Sequence, residues 1–190
     1  MHSSFIRLEM RLTALLFFFK GLLLKAYLAS HGCKVGTGLK CRSFPSFRRP
    51  PSGNMTIGNS VTIGSGVTFH PEVGGMIILG NRVNLSQNII ISSSSRVILG
   101  DDTLVAENVS IRDGDHGISC GELIRDQATV TEEILIGKDV WICAGSIILK
   151  GAMIADGAII GANSVVTRKC HVDSNGVYAG MPVKLIKLRE

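Results

Sequence analysis

Residues 136–166 read IGKDVWICAGSIILKGAMIADGAIIGANSVV, and every sixth position of that run is a branched aliphatic residue: Ile136, Ile142, Ile148, Ile154, Ile160 and Val166. The spacing recurs upstream in blocks of three: Ile57, Ile63, Phe69, then Leu79, Leu85, Ile91, then Leu99, Val105, Ile111. All fifteen positions are apolar in a chain that is 45% hydrophobic, a full set that chance rarely gives. A period of six matches neither a helix nor a lone strand. It marks short strands separated by corners and stacked as a solenoid.

Three six-residue sides close one triangular coil. Coils beginning at Ile57, Leu79, Leu99, Ile136 and Ile154 would rise about 24 Å at strand spacing. The periodic residue points into the prism. Four residues later the side chain is short or β-branched, as at Val61, Val83, Thr103, Ser146 and Ala158, which suits the crowded approach to a corner. The 22 glycines fit the same pattern, since Gly58, Gly64, Gly80, Gly100, Gly137 and Gly161 each directly follow a periodic residue. The expectation there is a bend with backbone angles that glycine tolerates best.

A length of 190 residues suits one principal domain. The formal charge of +5 is compatible with anionic lipid or phosphorylated ligands. With one tryptophan and two tyrosines, the chain lacks the aromatic platform of a nucleic-acid binder, and no nucleic-acid partner is expected. Five cysteines without a CxxC pair point to a reduced, cytoplasmic chain and away from a zinc ribbon.

Residues 1–30 predict an amphipathic helix. At 100° per residue Leu8, Leu12, Leu15, Leu16, Phe19, Leu23 and Ala26 share one face, with Arg7, Arg11 and Lys25 opposite. Lys20 and Lys25 interrupt what would otherwise be a spanning stretch. Two readings stay open: the helix caps the open end of the solenoid, or residues 5–29 make a peripheral membrane contact at the inner face of the plasma membrane. Residues 31–56, with Pro45, Pro50 and Pro51, read as an irregular connector holding at most an imperfect coil around Val35. The solenoid domain spans 57–167 and a short tail spans 168–190.

The repeat breaks once, over 112–133, a loop that includes Asp113, Asp115, His116 and Cys120. Loops projecting from rigid solenoids commonly carry function. An imidazole there is suited to removing a hydroxyl proton near neutral pH. Asp113 or Asp115 could orient it or bind an acceptor hydroxyl, or could stabilise a turn. His2, His31, His70 and His171 lie at the terminus, in the connector, before a proline and near the tail, and read as structural or solvated.

The quoted run, followed by VYAGMPVKLIK at 177–187, resembles the hexapeptide-repeat acyltransferases, most closely the sugar and polysaccharide O-acetyltransferases. The resemblance covers about residues 57–187. It implies a left-handed parallel β-helix, a homotrimer with active sites between subunits, acetyl-coenzyme A as donor without a metal, and His116 as general base. A family asparagine that binds the acceptor falls at Ser86, flanked by Asn84 and Asn88. Coenzyme contacts fall on Trp141, Ala144, Ala162, Thr167, Arg168 and Lys184. The chain departs from the pattern at Cys143 and Leu149 and in a longer tail.

The implied activity is transfer of an acetyl group to a sugar hydroxyl, in surface polysaccharide biosynthesis. Alternatives are an N-acetyltransferase acting on an amino sugar nucleotide, a metal hydratase on the same solenoid, which requires about three converging histidines, and a non-enzymatic structural or binding solenoid.

Overall fold

The computed structural model describes residues 2–190, with side chains from Ile6 onward except Leu8; the side chains of His2 and Leu8 therefore lie outside the described residues. Three parallel sheets form the faces of a triangular prism. The first face stacks Lys34–Val35, Met55–Ile57, Met76–Leu79, Arg96–Leu99, Ile134–Ile136 and Met153–Ile154. The second stacks Lys40–Cys41, Thr62–Ile63, Asn84–Leu85, Leu104–Val105, Trp141–Ile142 and Ile159–Ile160. The third stacks Ser46–Phe47, Thr68–Pro71, Ile90–Ser93, Ser110–Arg112, Ile147–Leu149 and Val165–Val166.

All fifteen periodic residues point inward and are at most 3% exposed. Register pairs place them directly above one another, Ile57 on Leu79, Leu79 on Leu99, Leu99 on Ile136 and Ile136 on Ile154. Burying one such aliphatic side chain contributes about 1.5–3 kcal/mol, so the column alone forms a substantial core without disulfides.

The solenoid begins earlier than the sequence suggested. Val35, Cys41 and Phe47 pair with Ile57, Ile63 and Phe69 and make a complete first coil inside the segment read as a connector. The six-residue spacing persists there, but a cysteine holds one core position and prolines flank the strands.

The glycines after the periodic residues also act differently from expectation. A Cβ on Gly58, Gly80 or Gly100 would lie 2.6 Å from atoms of the next coil. Close stacking therefore demands them. The left-handed bend is taken three residues after the periodic position, by Ser60, Arg82, Asp102 and Asp139. Side-chain amides and carboxylates ladder along this corner: Asn59 donates its backbone N–H to Asn81 at 2.9 Å, and Asn81 donates to Asp101 at 2.7 Å.

Each coil keeps six residues between its faces, so every extra residue falls at one corner, the return from the third face to the first. Successive coils repeat after 22, 22, 20, 37 and 18 residues. Four return corners are thus longer than the six-residue minimum, and residues 112–133 are the longest of them.

The N-terminal helix, His2–Ser30, closes the open end by packing on the first coil. Leu24 and Leu28 are fully buried, Lys20 donates to the Arg42 carbonyl and Lys25 to that of Gly36. A Cβ at Gly21 would meet the Leu39 carbonyl oxygen at 1.9 Å, so only glycine lets the helix approach so closely. The capping reading holds, but through the opposite face from the leucine and phenylalanine stripe. The other end is covered by an antiparallel hairpin, Gly176–Gly180 with Val183–Leu188, so the tail is ordered β structure. Tyr178 is buried there, its hydroxyl donating to Asp173 at 3.1 Å.

Candidate active site

The 112–133 segment is a built hairpin. Gly114–His116 pairs antiparallel with Thr129–Thr131, placing His116 opposite Thr129. Its tip is pinned by Gln127, whose amide accepts from the Ser119 N–H at 2.8 Å and donates to the Ser119 and Glu122 carbonyls.

Asp113 fixes the hairpin base. Its carboxylate is 1% exposed and accepts from the backbone N–H of Ser94 at 2.6 Å and of Ser95 at 2.9 Å, with the Ser93 hydroxyl at 2.9 Å. Those donors belong to the return corner one coil below, so Asp113 ties two corners together. The expectation that Asp113 binds an acceptor hydroxyl gives way, in this subunit, to a scaffolding role: both oxygens are buried and engaged. Asp115 remains accessible and pairs with Lys150 at 3.3 Å. Neither aspartate is bonded to the exposed imidazole of His116.

Two cavities adjoin this corner and share Thr167 and Lys169. One, of 310 Å³, is lined by Asp115, Leu149, Lys150, Thr167, Arg168 and Lys169. The other, of 550 Å³, reaches from Thr167 and Lys169 past Met181 and Pro182 to Lys184. Arg168 and Lys184 thus line adjacent cationic depressions that meet at Thr167 and Lys169, and Arg168 also reaches Glu132 at 3.6 Å. Such cations and a hydroxyl can hold phosphate oxygens.

The remaining predicted residues lie elsewhere. Trp141 stands on the second face, 47% exposed. Ala144 and Ala162 stack at the corner between the second and third faces, where the Asn163 N–H donates to the Ala144 carbonyl. Asn84 and Ser86 line a 340 Å³ cavity with Phe17, Arg42 and Gln87. Asn88 takes a left-handed corner conformation and donates to Asn108 at 3.4 Å. One face, about 20 Å across for six residues, separates these groups from His116. A single chain thus carries two half-sites on different corners.

Sequence reading missed Lys150, Glu132 and the serines under Asp113. It also missed that His70 shares the return corner: its Nε2 lies 2.9 Å from Glu72, which in turn pairs with Arg49 at 3.4 Å. The signal was the lengthened spacing before Leu79. Burial pushes the Cys143 thiol up, which keeps it protonated and a poor nucleophile. Among the described residues no group of three His, Cys, Asp or Glu side chains is placed to hold a metal ion.

Comparison with known proteins agrees with this architecture. The family described as bacterial transferase hexapeptide (six repeats) matches residues 133–168. The Escherichia coli K12 protein WbbJ, provisionally named a lipopolysaccharide biosynthesis O-acetyl transferase, is 32% identical over 152 residues, 76% of each chain. Galactoside O-acetyltransferase of E. coli K12 is 32% identical over 130 residues, 66% of this chain and 63% of that protein. The Bacillus cereus N-acyltransferase AntD, solved with dTDP and 3-hydroxybutyryl-CoA, superposes with a TM-score of 0.62 at 22% identity, over 87% of this chain and 88% of that one, a likeness of fold. With its coils, its return-corner hairpin and these relatives taken together, the chain belongs to the hexapeptide-repeat transferases and is an acyltransferase of that family.

Proposed function

We propose that the chain transfers an acetyl group from acetyl-coenzyme A to a sugar hydroxyl during surface polysaccharide assembly, with His116 as general base. The observation that carries this reading is the paired hairpin that presents the exposed His116 imidazole next to Asp115, which lines a cationic depression. His116 takes the hydroxyl proton as the acceptor oxygen bonds to the thioester carbon. The carbon–sulfur bond then breaks, and the imidazolium returns the proton to the departing sulfur. Arg168, Lys169 and Lys184 attract the donor's phosphates, with Thr167 as a hydroxyl partner and Trp141 flanking the pantetheine arm beside Ala144 and Ala162.

The split between corners supports a homotrimer. In such an assembly the return corner of one subunit would face the second-to-third corner of its neighbour, joining His116 to the Asn84 and Ser86 cavity and closing the donor groove. Exposed Leu104 and Trp141 on the second face supply apolar area for that contact. Five unpaired cysteines fit a cytoplasmic setting.

An amine acceptor on a sugar nucleotide is the neighbouring reading, favoured by Arg42 in the Asn84 cavity, which suits a phosphate-bearing acceptor. Thiol release from acetyl-coenzyme A, measured across a panel of sugars and amino sugar nucleotides, separates the two. His116→Ala should lower the rate by about 10²–10⁴; equal release by wild type and variant refutes the assignment.

A further inference from the structure

The N-terminal helix has two apolar sides, and the cap uses only one. Leu12, Leu15, Leu16, Phe19, Leu22 and Leu23 fall within one third of the helix circumference and are each 45–62% exposed. They point away from Gly21, Leu24 and Leu28, the residues pressed on the first coil. A contiguous exposed apolar face of this kind marks an interaction surface.

Charge identifies the occupant. The first 49 residues hold nine Lys or Arg and one acidic residue, Glu9, a formal +8. The whole chain is +5, so the rest is −3. The positive charge is therefore concentrated at the end of the prism that bears the apolar face, with Arg11 and Arg7 lying just beyond one edge of that face rather than opposite it. Apolar burial joined to local positive charge is what an interfacial helix needs on an anionic bilayer.

We propose that this outward face docks the protein on an anionic phospholipid surface, with the helix lying in the plane of the interface. Spanning is ruled out by the cap. The stretch long and apolar enough to cross a bilayer, Glu9–Ser30, is the one that the cap engages. From Lys20 onward the helix is bonded to Arg42 and Gly36 and packed through Leu24 and Leu28. This docking does not depend on the acetyl-transfer reading.

The test is co-sedimentation of the full chain with vesicles of phosphatidylcholine alone or with about 30% phosphatidylglycerol. Binding should require phosphatidylglycerol and weaken as salt rises. Leu15→Glu/Phe19→Glu/Leu23→Glu should abolish it while leaving thiol release unchanged. Arg7→Glu/Arg11→Glu, both exposed, should weaken it about tenfold or more and serves if the triple variant fails to fold. Binding that ignores phosphatidylglycerol, or wild-type binding by either variant, overturns the proposal. So does a triple variant that sediments as a smaller assembly yet binds vesicles unchanged, which would assign the face to a second copy of the chain.

Discussion

Replacing Asp113 with alanine separates an anchor from a substrate ligand. The carboxylate holds two backbone donors, Ser94 and Ser95, that have no other partner in the return corner below. The Ser93 hydroxyl also lies 3.0 Å from the Met76 carbonyl and can turn to it, so its bond is recoverable. Two hydrogen bonds to a charged group contribute about 3–6 kcal/mol together. Water can reach the half-buried serine amides, which reduces the expected loss to about 2–4 kcal/mol. For a domain of this size that is a fall in Tm of roughly 4–16 °C. Asp113→Asn keeps one acceptor oxygen and should lose about half as much. Differential scanning calorimetry gives Tm, and hydrogen exchange over 114–131 should show faster opening of the hairpin. In acetyl transfer kcat should fall with the ordering of His116, while acceptor KM changes little. A variant with unchanged Tm and hairpin protection, but a raised acceptor KM, would refute the anchor and restore a direct contact with the acceptor.

Three further outcomes follow from other parts of the prism. Gly100→Ala would drive a Cβ to 2.6 Å from the Gly137 carbonyl group, so unfolding should come at lower denaturant, with about 1–3 kcal/mol lost; a neutral result would mean the coils can separate. Hydrogen bonding from Asn81 holds Asp101 below the ordinary carboxylate range, and Arg82 does the same for Asp102. Both carboxylates thus add stability above the unfolded value of about 4 and lose it as pH falls through their lower folded values; Asp101→Asn/Asp102→Asn should flatten the dependence of Tm on pH between 5 and 2 while leaving its shape from 7 to 5 alone. Alkylation of the native protein should modify exposed Cys120 first, with fully buried Cys41 and burial-raised Cys143 lagging; peptide mass mapping that finds Cys143 labelled as fast as Cys120 would contradict the packing.

The sequence announced its core because the inward column repeats at a fixed interval, and a buried site accepts little but a branched aliphatic. It hid the first coil because Cys41 is a weak hydrophobic signal and three nearby prolines read as loop. It misplaced the reason for the glycines, since contact with the next coil is a non-local distance that no local pattern carries. His116 was legible from the interruption of the repeat. Asp113 was not, because its partners sit one coil away and nothing in Asp-Gly-Asp-His tells which aspartate turns inward. The division of the site between corners follows only once the prism is wound and the width of a face is known.

Confining every surplus residue to one corner has a consequence for descent. The two other edges and the inner column set the winding, so the return corner can lengthen, shorten or be exchanged without shifting any strand's alignment. Chemistry and scaffold are therefore separable inheritances in this protein, and transplanting the 112–133 hairpin onto a related prism should leave the host's winding intact.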